Sequence, residues 1–140
     1  MDKKELEDSL KFLPRFDAQG LIPCITTSAR SGKVLMLAYM NEEALKKSLE
    51  TGEAHYWSRS RGELWHKGAS SGHVQRIIEM RVDCDQDCVW ISVDMDEEAS
   101  CHTGRRSCFY RKVVKNEGGS PALEWVDEDL LFDPETVYKK

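Results

Sequence analysis

The chain has 140 residues, enough for one domain with a real hydrophobic core and too few for two domains of ordinary size. Hydrophobic residues make up 40% and charged residues 32%, a globular balance, and no apolar run approaches the ~20 residues of a membrane span. Lys plus Arg total 20 against 25 Asp plus Glu, a net charge of -5, which argues against a broad cationic footprint for nucleic acid and leaves room for a local basic pocket. The opening MDKKELEDSL lacks the apolar core of a secretory signal. The five cysteines are odd in number, so a disulfide framework is not expected; reduced thiols and a cytoplasmic location are.

In chain order, residues 1–15 read as an N-terminal helical segment, with Leu6, Leu10 and Leu13 at 3–4 spacing. LIPCITTSA reads as a strand, Ser31-Gly32 as a turn, and KVLMLAYM as a buried strand, the two runs forming a hairpin. Asn41 is suited to cap a helix over 42–51, with Glu42 and Glu43 in its first turn, Ala44, Leu45, Ser48 and Leu49 on its inner face and Gly52 ending it. AHYWS and ELWHK are short strands around Arg61-Gly62, and KGASSGH is a loop. VQRIIEMRVD alternates Ile78, Met80 and Val82 with Glu79, Arg81 and Asp83 as a strand does, and CVWISVD, SCFYRKVV and ALEWV are also extended. The acidic tail has no clear element, so residues 116–140 read as a C-terminal extension of a single domain spanning 1–140. About seven strands, one or two helices and no βαβ rhythm predict a β-rich α+β fold with a mixed, mostly antiparallel, strongly bent sheet.

Three segments carry chemistry. In Asp83-Cys84-Asp85-Gln86-Asp87-Cys88, an extended backbone places Asp83, Asp85 and Asp87 on one face and Cys84 on the other. Three adjacent carboxylates raise one another's pKa unless a cation sits among them, and oxygen donors suit a hard ion such as Mg²⁺; a solvated acidic turn is the plainer alternative. Cys101 and Cys108, with Gly104 between them, can return to one point, and with Cys84 they supply three soft donors of the kind that select Zn²⁺. A closed structural site would add His102 or Cys88; an open one would keep a water and leave His102 to move protons. The strand parity sets the two metal sites back to back, with one completed by another subunit. The third segment joins Trp57-Ser58-Arg59-Ser60-Arg61-Gly62 to Trp65-His66-Lys67-Gly68-Ala69-Ser70-Ser71-Gly72-His73. Its hydroxyls, cations and glycines suit a phosphorylated ligand, with Arg59, Ser60, Arg61, Lys67 and Ser71 as candidate contacts and Arg105 and Arg106 adding charge near the thiols. An exposed polar hairpin is the plainer reading of SRSR. Trp57, Trp65, Met36, Met40 and Tyr39 read as core.

Taken together, VLMLAYMN at 34–41, EAL at 43–45, YWSRSR at 56–61, LWHKGASSGH at 64–73, DCDQD at 83–87 and CHTGRRSCF at 101–109 resemble the phosphoribosyl-AMP cyclohydrolase family. The resemblance implies a cyclic amidine hydrolase of L-histidine biosynthesis. It opens the purine ring of 1-(5-phosphoribosyl)-AMP at N1–C6 with zinc-activated water, giving the formimino-carboxamide ribonucleotide. It also implies Zn²⁺ on Cys84, Cys101 and Cys108, Mg²⁺ on Asp83, Asp85 and Asp87, His102 as the proton-transfer residue, and a homodimer with the zinc site shared across subunits. The chain departs from the family pattern at Ala69-Ser70, where Glu-Thr is frequent, at Ser48, where Thr is frequent, and in the extra thiols Cys24 and Cys88. With about 30 residues after Tyr110, no fused pyrophosphohydrolase domain is expected. A zinc-stabilised interaction module is the alternative of a different class. A base deaminase lacks its H-x-E and P-C-x-x-C signature here.

Overall fold

The computed structural model describes residues 2–96 and 107–126. Two helices, α1 (Lys3–Glu7) and α2 (Glu42–Thr51), accompany eight strands: β1 (Ile22–Ser28), β2 (Val34–Met40), β3 (His55–Ser58), β4 (Glu63–His66), β5 (Arg76–Val82), β6 (Val89–Asp94), β7 (Arg111–Lys115) and β8 (Pro121–Trp125). They form a four-stranded sheet in the order β2-β1-β6-β5 and two hairpins, β3-β4 and β7-β8. Within the large sheet β1 is antiparallel to β2 and parallel to β6, and β6 is antiparallel to β5. The β-rich, mixed architecture agrees with the sequence reading, although the strands divide among three sheets and β8 lies inside the segment read as an extension.

Local chemistry explains most boundaries. Asn41 caps α2, its Oδ1 accepting the Ala44 N–H at 2.8 Å, and Gly52 ends the helix at φ 74°, a left-handed conformation that costs glycine little. Pro23 is tolerated in central strand β1 because the pairing with β6 begins only at Cys24↔Val89, past the missing N–H. The core gathers Ile22, Cys24, Met36, Met40, Leu45, Tyr56, Ile91 and Met95, all at most 4% exposed.

Several expectations are corrected. The helical segment read over 1–15 is helix only at Lys3–Glu7; Leu6 is buried, but Leu10 is fully exposed and Leu13 half-exposed. Residues 11–15 are instead tied by hydrogen bonds to Gln86, which competes with helix continuation. β2 is an edge strand, with Val34 and Leu37 exposed; a bulge at Leu35, opposite Thr26-Thr27 of β1, turns both Leu35 and Met36 inward. A second bulge between Ile77 and Glu79 breaks the alternation of β5 and leaves Ile78 exposed. Leu49 is exposed on α2, and the strand read from Ser107 begins at Arg111.

A buried polar chain ties the β3-β4 hairpin to the sheet. The Tyr56 hydroxyl donates to Gln75 Oε1 at 2.6 Å and lies 2.7 Å from Thr26 Oγ1, and Gln75 Nε2 reaches Met36 Sδ at 3.3 Å. Tyr56, Thr26 and Gln75 are each fully buried. Removing the hydroxyl orphans polar atoms that water does not reach. Tyr56→Phe is therefore expected to lower unfolding stability by about 1–3 kcal/mol, read as a lower midpoint in urea with an unchanged slope.

Candidate active site

The DCDQDC segment is a turn joining β5 to β6, not an extended strand. The Asp83 N–H donates to the Cys88 carbonyl at 3.2 Å, and Asp83 Oδ1 accepts the N–H groups of Asp87 (3.0 Å) and Cys88 (3.2 Å). Gln86 stands at φ 58°, in the left-handed region. The parity argument that set Cys84 opposite the aspartates therefore does not apply. The carboxylates converge all the same: one oxygen from each of Asp83, Asp85 and Asp87 lies within 4.8 Å of the others. Folding of the turn, rather than strand pleat, brings them together.

Gln86 fixes that turn, and nothing in the sequence marked it except its place between two aspartates. Its side chain, 4% exposed, accepts the Leu13 N–H at 2.7 Å and donates to the Lys11 carbonyl at 3.1 Å, while its own carbonyl accepts the Arg15 N–H at 2.7 Å. The electrostatics follow from the crowding. Hydrogen bonding to Asp85 and Asp83, then their charge, pushes Asp87 up to about 6, while the hydrogen bond from Asp87 holds Asp85 below the usual carboxylate range. Below about pH 6 a proton on Asp87 eases the repulsion that a cation would otherwise offset. The donor set fits a hard divalent ion, which would discharge the cluster without that proton.

The thiols are spread over the sheet. Cys84 is exposed in the carboxylate turn, at the β5-β6 side. Cys108 is exposed beside β2, the opposite edge strand, where its N–H donates to the Leu35 carbonyl at 2.7 Å and the Ser107 hydroxyl donates to the Val34 carbonyl at 2.8 Å. At about 4.8 Å per strand, roughly 10–14 Å of sheet separates the two. Cys24 is buried in β1, where loss of solvent pushes its thiol up to about 12; it remains a protonated core residue. Cys88 is partly buried, and burial followed by the neighbouring carboxylates raises its thiol too. Cys101, His102 and Arg105 lie outside the described residues.

Arg59, Ser60 and Arg61 are exposed at the tip of the β3-β4 hairpin, where the Ser58 carbonyl accepts the Gly62 N–H at 2.8 Å. The Arg59 guanidinium rests 4.0 Å from the centre of the Tyr39 ring. Ser71 is half-buried in the following loop. Lys67 is 2% exposed, its Nζ 5.0 Å from the Trp65 ring centre, so it does not join the exposed cations at the tip. Gly68 is required in that loop: its φ is 91°, and a Cβ there would meet the His73 backbone at 2.3 Å. Tyr39 and Trp57, read as core, are half-buried and line an open cleft beside the hairpin tip.

A carboxylate cluster in the turn at one end of the sheet, two exposed thiols and an open cleft lined by Ser58, Arg59 and Ser60 are the chemistry-bearing features among the described residues. Residues 36–110 match the family described as phosphoribosyl-AMP cyclohydrolase. The chain is 61% identical over 135 residues to a phosphoribosyl-AMP cyclohydrolase of Nitrobacter hamburgensis, covering 96% of this chain and 91% of the relative. It is 60% identical over 136 residues to one of Bradyrhizobium diazoefficiens, covering 97% and 96%. It is 58% identical over 135 residues to one of Rhodopseudomonas palustris strain BisB18, covering 96% and 92%. The chain belongs to the phosphoribosyl-AMP cyclohydrolase family and is an enzyme of histidine biosynthesis. No helix among the described residues is long and apolar enough to cross a membrane.

The carboxylate cluster generates a prediction. The pKa of Asp87 is raised on folding, so the chelated protein binds more protons folded than unfolded around pH 4–6. This contribution to stability is full below about pH 4 and is lost as pH rises through about 6. Melting temperature measured against pH is expected to carry a falling step there, which millimolar Mg²⁺ should diminish. The same step in Asp87→Asn would contradict the assignment.

Proposed function

We propose that the chain carries out its family's reaction, hydrolytic opening of the N1–C6 bond of 1-(5-phosphoribosyl)-AMP, with two metals held by its own side chains. The observation that carries the reading is the convergence of Asp83, Asp85 and Asp87 within 4.8 Å in a turn that also presents Cys84. Mg²⁺ belongs on the three carboxylates, where it would offset their repulsion and offer open positions to a substrate phosphate. Zn²⁺ belongs on Cys84, Cys101 and Cys108, whose soft donors suit it. When bound, zinc supplies a Lewis acid that lowers the pKa of a water toward ~7.

The remaining chemistry belongs to the substrate and to this chain's residues. A ribosyl group on N1 makes the adenine ring cationic and C6 electrophilic. Water adds at C6 and loses a proton, N1 gains one, and the C6–N1 bond breaks. His102 accepts and returns that proton, a role commonly worth ~10²–10⁴-fold. Arg59, Ser60 and Arg61 at the exposed hairpin tip hold a 5′-phosphate, and Arg105, between Cys101 and Cys108 in sequence, adds positive charge. The enzyme works in the cytoplasm.

The separation of Cys84 from Cys108 across the sheet favours a homodimer in which each zinc takes Cys84 from one subunit and Cys101 and Cys108 from the other. Cys84→Ser and Cys108→Ser are each expected to lose zinc and turnover. Mixed, unfolded and refolded together, they should regain roughly a quarter of wild-type activity: half the dimers are hybrids, each with one of two sites intact. No recovery, with dimers formed, would place the ligands within one chain. His102→Ala is expected to keep its zinc and lose turnover; retained turnover would remove the histidine from proton transfer.

A further inference from the structure

The cleft beside the β3-β4 hairpin is lined by Tyr39, Trp57, Trp65, Ser58, Arg59 and Ser60, and the pairing of Tyr56 with Trp65 and of Trp57 with Leu64 puts the two tryptophans on opposite faces of the hairpin. Its volume is about 480 Å³, within the span of small-ligand sites. Trp65 is set firmly, its ring packed at 5.6 Å and a 45° tilt against buried Tyr56. Tyr39 lies on edge strand β2, and the Arg59 guanidinium covers one face of its ring at 4.0 Å. Flat aromatic walls beside one cation and two hydroxyls match a heteroaromatic base that carries a phosphate.

The placement fits as well. Ala38 pairs with Cys24, which pairs with Val89 at the start of β6, so the cleft lies at the same end of the sheet as the carboxylate turn. Leu37, also in the cleft, is two residues from Leu35, whose carbonyl holds the Cys108 N–H. The cleft thus shares strand β2 with the Cys108 contact and shares its end of the sheet with the carboxylate turn.

We propose that this cleft is the base subsite: the purine ring stacks on Tyr39, with the edge of Trp65, whose ring already meets Tyr56 and the Lys67 Nζ, closing its side, and Arg59 leaves the Tyr39 ring for a phosphate of the same nucleotide. The inference rests on the proposed reaction and goes beyond it by naming the rings that select a purine.

Calorimetric titration of the metal-loaded dimer with AMP and with ribose 5-phosphate tests it. AMP should bind at least about tenfold more tightly, the ordinary worth of one aromatic–base stack. Tyr39→Leu and Trp65→Leu should each lose most of that preference and raise KM for phosphoribosyl-AMP about tenfold, whereas Tyr39→Phe should restore both. Trp65 supports Tyr56 and its variant is open to misfolding; Tyr39 is half-exposed on an edge strand, and its variants decide the matter. Absence of a preference in the wild type, or an undiminished preference in folded Tyr39→Leu, overturns the subsite even if phosphoribosyl-AMP is turned over. A preference lost in Tyr39→Leu but present in a wild type without turnover upholds the subsite and removes the reaction instead.

Discussion

Three carboxylates share one turn, and hydrogen bonds fix the backbone that carries them. Asp83 accepts two backbone N–H groups from the far side of the turn, and Gln86 is held from three directions by residues 11–15. Charge repulsion in the turn is eased by a proton on Asp87 at acid pH, and a cation would ease it at neutral pH. The N-terminal segment gives up helix to make these contacts, and Cys84 is displayed beside the cluster because the backbone turns there. Much of the functional end of the molecule follows from that one constraint.

The opposite wall of the site is held by different means. The buried Thr26–Tyr56–Gln75 chain locks the β3-β4 hairpin over the sheet, and Ser48 locks it to α2, accepting the His55 N–H at 2.9 Å while donating to the Ala44 carbonyl at 2.8 Å. The hairpin tip with Arg59 and Ser60 is free to be polar because its base is anchored so heavily. The result is an anchored hairpin with exposed polar groups at its tip, the arrangement of a loop on a fixed support.

Residues whose meaning is local were legible in the sequence. Asn41, Gly52 and the Glu42-Glu43 pair defined α2 to the residue, and the apolar runs at 22–28 and 34–40 defined a hairpin. The carboxylate cluster was legible as a set of donors but not as a shape: period-2 alternation continued through Asp83–Asp87 on paper, while the side-chain hydrogen bonds of Asp83 and Gln86 turned the backbone. Bulges at Leu35 and Ile78 were likewise hidden, since apolar residues stand on both sides of each. The aromatic cleft was hidden for a further reason. Tryptophan and tyrosine carry the same letter whether they fill a core or line a wall, and only the edge position of β2 left Tyr39 half-exposed.

The central claim is that this chain opens the purine ring of phosphoribosyl-AMP with metal held by its own cysteines and aspartates. Zinc content and ring-opening rate, measured on one purified sample before chelation, after chelation and after zinc is returned with Mg²⁺ present, test it most directly. The account predicts turnover that disappears with the zinc and comes back with it, on a protein that stays folded throughout. A folded, zinc-replete dimer that leaves phosphoribosyl-AMP intact would contradict it.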